Sequence, residues 1–563
     1  MFTTANGTTL YRQPRAILLL ALVTVLFSVT ACDEVAVDPK SVATEQLTFQ
    51  DEQAYVQYLG KLYAGLNVTG QVGPFGNVDV QVINDEGFSQ YMRLYWQMQE
   101  LPADGAVITY QDAGGAPQEL NQSTWSPGNA FLAGMYSRIG FQVANANIFI
   151  DEAQPSKLDS RGVSEDLQAE IPGFIAEARF LRALSYYHAV DLFGAVPIVT
   201  EEDAGGTAAP EYPGETREEA RRAVFEFVES ELLAITGEAD TPDGQVLPDA
   251  AQQEYGRASK GAAYMILAKL YLNAEVYTGQ ARYDEAAEYA QKVIDQGYDL
   301  EPTYQNLFLA DNHTADGIVF AIPNDGQRTQ HFGGTQFLTH APVINATMEP
   351  ADFGVDTGYD GLRTQPETVD LYEPGDQRPV FANTSGGQFI TQGHSKEVNE
   401  LLTPTDGFGV VKYQNVTSGG VDGQNPTFPD TDFPLFRLAD AYMIYAEAYV
   451  RGAGSASAST AVGYVNDIRE RAGLGRDITQ GDLSPGTEDA LQFILDERGR
   501  EFLWEGQRRS DLIRFGLFAG NDYVWSWKGG NQNGTSIDAC RNLYPLPAGE
   551  LAANPNLPAN EDC

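Results

Sequence analysis

Histidine, cysteine and lysine are scarce in this chain, with five His, three Cys and nine Lys among 563 residues. Each scarcity closes off a chemistry. His188, His313, His331, His340 and His394 are dispersed, and the nearest pair, His331 and His340, lies nine residues apart, which matches no common metal-ligand spacing. The motifs that place nucleophiles, metals or phosphates are missing too: there is no G-x-S-x-G, no H-E-x-x-H, no P-loop and no G-x-G-x-x-G after a strand. The expectation is a protein that is not an enzyme and carries no cofactor and no metal. Paired carboxylates could in principle cleave a glycoside, but with 78 acidic residues such pairs arise from abundance alone.

Basic residues are also few, 35 against those 78, for a net charge of −43. A field of that sign repels nucleic acid and anionic lipid surfaces, so neither is an expected partner. The carboxylates are spread along the whole chain with little Lys beside them. That is the surface of a salt-adapted protein, whose self-repulsion high ionic strength screens.

Long apolar runs are absent except at the start. Ala16 to Val29 is shorter than the roughly 20 residues that a membrane-spanning helix needs. Arg12 and Arg15 precede it and Val29-Thr30-Ala31-Cys32 follows, which reads as a signal peptide ending in a lipobox. Residues 1–31 are expected to be removed, Cys32 to be lipidated, and residues 32–50 to form a tether. Acyl chains contribute about 0.8 kcal/mol per buried CH₂, so several together hold stably, and the membrane is an expected partner through this anchor only. Cys540 and Cys563 then remain as an even pair in an oxidising compartment, and a disulfide between them is expected.

From residue 51 to 563 one body is expected. Apolar residues recur at helical spacing over 51–66 and again within 129–296 and 435–516, which predicts a helical scaffold. Tyr283 to Ala290 reads as the second helix of a tetratricopeptide-like repeat, with Gly261 to Tyr271 as its partner and small residues at the contacts. Ala441–Tyr449 and Ala461–Arg471 repeat the theme, and such pairs stack into a curved scaffold. Residues 67–128 and 300–434 are rich in Gly, Asn, Asp and aromatics without sustained periodicity, and 517–563 form a tail. Loops carried on a rigid scaffold are common places for binding surfaces.

Several motifs occur in order along the scaffold. They are Ala176-Glu177-Ala178-Arg179-Phe180-Leu181-Arg182-Ala183 with Asp191-Leu192-Phe193-Gly194, Arg437-Leu438-Ala439-Asp440-Ala441-Tyr442, and Asn466-Asp467-Ile468-Arg469-Glu470-Arg471. Glu497-Arg498-Gly499-Arg500-Glu501-Phe502 follows with Glu505, Arg508, Asp511 and Arg514, and Tyr544-Pro545-Leu546-Pro547 closes the series. In these motifs the chain resembles the SusD/RagB family of nutrient-binding outer-membrane lipoproteins. The resemblance implies a mainly α, tetratricopeptide-like fold, an α/α superhelix with loop-rich insertions. It implies a cell-surface protein, facing the exterior, that binds a glycan or oligosaccharide and delivers it to a SusC-like TonB-dependent transporter. The alternatives are the same scaffold binding peptide or another nutrient, and a surface glycosidase.

The charged residues of 497–514 sit among Phe502, Leu503, Trp504 and Leu512, so a buried ion-pair network is expected there rather than a catalytic pair. Sugars need aromatic platforms and a few amide, carboxylate or guanidinium groups. The loop-rich segments offer Asn84, Asp85, Tyr91, Arg93, Tyr95, Trp96 and Tyr110 in one stretch, and Phe332, Phe337 and Tyr359 in the other. Tyr95 and Trp96 are the first expectation for the platform.

Overall fold

Alanine at the helix contacts lets backbones approach closely, and the architecture follows from it. The structure, a computed structural model, describes residues 48–558 apart from 71–72, 75–77, 204–208, 215 and 383–386. The expected signal peptide, Cys32 and Cys563 lie outside the described residues. Among those residues, no helix is long and apolar enough to cross a membrane.

The body from Glu52 onward is mainly helical. Helix α1 (Gln53–Asn67) is followed by α2 (Tyr91–Glu100), the short strand β1 (Val107–Ile108) and α3 (Asp112–Asn121). The long helices α4 (Ala130–Glu152) and α6 (Glu165–Leu192) flank the short α5 (Pro155–Arg161), and α7 (Arg217–Thr236), α8 (Lys260–Leu272), α9 (Ala274–Thr278) and α10 (Tyr283–Ile294) continue the array. Neighbours pack in succession: α4 on α6, α6 on α7, α8 on α7 and α10. Ala262, Ala263, Ala286, Ala287 and Ala290 are fully buried in this part of the array. Helix ends follow their sequence signals. Thr216 and Glu219 form a reciprocal capping box at the start of α7, and left-handed Gly237 ends it.

After α10 the chain runs through β2 (Ile318–Ile322), α11 (Gly334–His340), β3 (Leu362–Arg363) and α12 (Pro366–Asp370), then a small three-stranded sheet. Strand β2 pairs antiparallel with the strand Phe433–Arg437, which leads directly into α13 (Leu438–Val450). The second group of helices is α13, α14 (Ala458–Arg471), α15 (Glu488–Glu501) and α16 (Arg508–Arg514). Helix α13 packs on α10, so the two helical groups share one core.

One expectation differs. Residues 67–128 lack apolar periodicity, yet they hold α2 and α3. The reason is burial on every side: all ten residues of α2, polar and apolar alike, are buried, so the helix has no solvent face to set a period. Helix α3 begins with a left-handed run, Ala113, Gly114 and Gly115, before its regular turns.

The charged motif near the C-terminus forms the expected network. Glu501 accepts from Arg378 (3.2 Å), Arg437 (3.0 Å) and Arg471 (2.6 Å). Glu497 binds Arg378, Arg469 and Arg500, Glu505 binds Lys412 and Arg437, and Asp511 binds Arg498 and Arg514. Arg508 reaches across to Asp104, just after α2, at 2.7 Å. Against the pull of burial, neighbouring guanidinium groups hold the carboxylates of Asp104, Glu497, Glu501 and Asp511 below their ordinary range; those of Glu497 and Glu501 fall to about 2.

Glu100 behaves oppositely. Its carboxylate meets no cation at ion-pair distance among the described residues and accepts instead from the amides of Gly506 (2.7 Å) and Gln507 (3.1 Å). Burial pushes it up to about 7. A carboxyl raised on folding penalises the native state as pH rises from its unfolded value to that level, and the penalty is full above it. Glu100→Gln should therefore stabilise the protein by about 3 kcal/mol at alkaline pH and give no advantage in acid below the unfolded value. Denaturant titrations at the two pH values measure this, and equal effects at both would refute it.

Candidate functional site

The two aromatic-rich segments meet. Strands β1 and β3 pair antiparallel, Val107 opposite Arg363 and Ile108 opposite Leu362, and the Thr109 amide extends the ladder to the Gly361 carbonyl at 3.0 Å. This brings the stretch 84–112 against 332–360. A side chain at 361 would strike the ring of Tyr110 at 2.5 Å, so glycine there lets Tyr110 lie flat across the strand.

Within this junction Arg93 is the hub. Its guanidinium lies 4.1 Å from the ring centres of both Phe88 and Phe337 and donates to the Phe332 carbonyl at 3.0 Å. Burial lowers it to about 10. The Glu86 carboxylate accepts from the Phe332 amide, the Tyr110 hydroxyl donates to the Tyr359 carbonyl, and Gln336 donates to the Tyr359 hydroxyl at 2.7 Å. The Tyr359 ring also rests on His340, at 4.9 Å.

The expected binding residues therefore separate into two groups. Contrary to expectation, Tyr91, Tyr95, Trp96 and Phe337 are buried in the core and have almost no surface to offer a ligand. Tyr91 bonds to His188, Tyr95 stacks on His188 at 4.0 Å, and Trp96 is 1% exposed with its indole N–H given to the Trp504 carbonyl at 2.8 Å. Arg93 is buried and acts from beneath. The physical reason is the complete burial of α2 and, for Phe337, of α11. Asn84 and Asp85 are exposed, Asp85 spending one oxygen on the Phe88 amide, and Phe332, Tyr110 and Tyr359 are half-buried with part of their surface available.

Beside Tyr359 lies a surface concavity of about 480 Å³. Asn345, Glu349, Asp352 and Gln392 supply polar groups, and Met348, Phe353 and Ile390 supply its apolar lining. Asn345 ties the concavity to the aromatic junction, its amide donating to Asp360 at 2.6 Å and its side chain to the Gly358 carbonyl at 2.8 Å. None of these polar residues stands out in the sequence, because amides and carboxylates are common in every loop of this chain. Asp85, Glu86, Asp112, Asp356 and Asp360 border the junction, with Arg93 below. The arrangement offers hydrogen-bond acceptors and ring edges to a polyhydroxylated, uncharged ligand and repels an anionic one.

Cys540 is disulfide-bonded; its expected partner, Cys563, falls outside the described residues.

Comparison with known proteins places this geometry in context. A family model described as the SusD family matches residues 236–562, and another, described as starch-binding associating with outer membrane, matches residues 99–272. The chain is 34% identical to the starch-binding protein SusD of Bacteroides thetaiotaomicron, covering 96% of this chain and 97% of that protein. It is 29% identical to SusD-like protein P2 of Formosa agariphila, over 82% and 86%. The fold is similar to surface glycan-binding protein A from Bacteroides thetaiotaomicron, solved in complex with laminarihexaose, at TM-score 0.64 and 20% identity, covering 90% of this chain and 99% of that one. The homologous protein from Bacteroides fluxus gives TM-score 0.65 at 19% identity, over 91% and 98%. With a matching family model over more than half its length and a relative of this identity along almost all of it, the chain belongs to the SusD family.

Proposed function

We propose that this protein is a cell-surface lipoprotein that binds a neutral glycan, anchored through Cys32 in the outer membrane, and that it hands the glycan to a SusC-like TonB-dependent transporter. The observation that carries the reading is the similarity along nearly the whole chain to a protein named for binding starch. The site supports it. Half-buried Phe332, Tyr110 and Tyr359 present ring surface beside a concavity rimmed by Asn345, Glu349, Asp352 and Gln392, and carboxylates and amides accept and donate to sugar hydroxyls. The ring of carboxylates favours an uncharged chain such as a glucan.

Capture and transport, rather than hydrolysis, fits a shallow site of this composition, whose affinity should fall between micromolar and millimolar, about 4–8 kcal/mol. Tyr359→Ala and Gln392→Ala should each weaken glucan binding about tenfold, the loss of one ring or one amide, while the fold is retained. Calorimetric titration with maltoheptaose and with laminarihexaose measures this and separates the two linkages. Unchanged affinity in both variants would move the site elsewhere on the scaffold, and release of shorter sugars during titration would replace capture by hydrolysis.

A further inference from the structure

A cavity of about 600 Å³ lies away from the residues just described. It opens between the C-terminal segment 539–545, the turn 124–127 and the start of α7. Three arginines line it, Arg217, Arg221 and Arg541. In a chain of net charge −43, with 35 basic residues in all, that concentration is out of character.

The pairing of Arg221 and Arg541 is equally unusual. Most guanidinium groups in this protein meet a carboxylate within 4 Å, many of them two. Arg221 and Arg541 have no such partner among the described residues. Arg221 donates to the Val276 carbonyl at 2.9 Å, and its Nε is buried without a hydrogen-bond partner among those residues. Arg541 donates one N–H to the Trp125 carbonyl. The Oδ1 of Asn542, in the same lining, is likewise unpartnered. Both guanidinium planes are held in place by aromatic rings, Arg221 over Tyr277 at 5.0 Å and Arg541 over Trp125 at 5.2 Å. A stacked guanidinium keeps its in-plane N–H edge available, and that edge matches a carboxylate or another oxyanion. The nearest acids are accounted for: Asp191 is engaged by Gln99, Tyr277 and Ser510, while Asp538 and Glu119 stand beyond ion-pair distance of Arg541.

The volume decides what kind of anion fits. A free inorganic ion would fill a small fraction of 600 Å³, whereas one or two sugar rings fill much of it, with Leu543, Pro127 and Val276 as apolar walls. We propose that this cavity is a second ligand site, selective for a carboxylate-bearing sugar unit, a uronic acid, held by Arg221 and Arg541. It is independent of the neutral-glycan reading, because it shares no residue with that site and selects an anionic unit that the other site repels.

The test is titration of the full mature protein with D-glucuronate, D-glucose and inorganic sulfate, followed by NMR or calorimetry at low and high salt. Glucuronate should bind saturably and weaken as salt is added, glucose should not bind here, and sulfate should compete more weakly than glucuronate. Arg541→Gln and Arg221→Gln should each lower glucuronate affinity about tenfold or more. Arg541→Lys, which keeps the charge and loses the fork, should lower it several-fold. Circular dichroism of each variant checks folding, and the half-buried rim position of Arg541 keeps that variant informative if Arg221→Gln misfolds. Three results overturn the proposal: no saturable glucuronate binding, binding indifferent to both arginines, or sulfate binding as tightly as glucuronate, which would make this an ion site only.

Discussion

Replacing Glu501 with Ala should destabilise the protein by about 3–5 kcal/mol, the cost of breaking a buried ion pair. The side chain is fully buried and accepts from three guanidinium groups. Two of the three keep other partners: Arg378 retains Asp376 and Glu497, and Arg437 retains Glu505. Arg471 does not, since Glu501 is its carboxylate and its Nε and Nη1 already lack partners. The variant strands a cation in the interior, and that drives the loss. Glu501→Gln, which preserves shape and one acceptor oxygen, should cost less. Thermal melting with chemical denaturation measures both. The pH dependence has the same origin. A carboxylate held at about 2 in the folded state contributes stability that is complete above its unfolded value near 4 and is lost as pH falls towards 2. The wild-type protein should thus lose stability in acid across that window, and the Ala variant should show a shallower acid limb. A variant as stable as wild type at neutral pH would show that the network is ornamental.

Trp96→Ala should have an effect of the same size by a different route. The indole packs edge-on against Phe337 at 5.7 Å and Trp504 at 5.6 Å, with its N–H bonded to the backbone of Trp504. Truncating a buried tryptophan costs about 3–5 kcal/mol through lost contact and the cavity left behind. Trp504 itself sits at φ 61°, a conformation that a non-glycine residue holds only when its surroundings enforce it, and Trp96 is part of those surroundings. The expected result is a lower melting temperature and lower yield, with the molecules that do fold binding glucan at wild-type affinity. Weakened binding at unchanged stability would instead restore Trp96 to the ligand site.

That contrast shows where reading the chain from sequence succeeds and where it stops. Tyr283–Ile294 is legible as a helix because one face meets α8 and α13 and the other meets water, so the apolar residues acquire a period. Tyr91–Glu100 is illegible for the opposite reason, buried all round, and its three candidate aromatics, Tyr91, Tyr95 and Trp96, look like exposed loop residues only because no period marks them as helical. The charged run of 497–514 is legible as a network, since so many acids and bases among Phe, Leu and Trp leave few other ways to be satisfied. The junction of 84–112 with 332–360 is half legible. Composition marks both segments, but the ladder that joins them depends on a pairing across some 250 residues, which no local pattern carries. Asn345 and Gln392 leave no signal at all. Their role depends on the shape they border.

The two-residue ladder between β1 and β3 has a consequence in time. It stitches the loop bearing Tyr359 to the segment just after α2, which the Arg508–Asp104 contact secures to the C-terminal network. Any rearrangement of the loop on meeting a sugar would have to unzip that seam, so the loop's shape is settled when the chain folds, before a ligand arrives. Encounter should then be a single fast step, with association rates tracking sugar concentration linearly and showing no plateau from a slow closing motion.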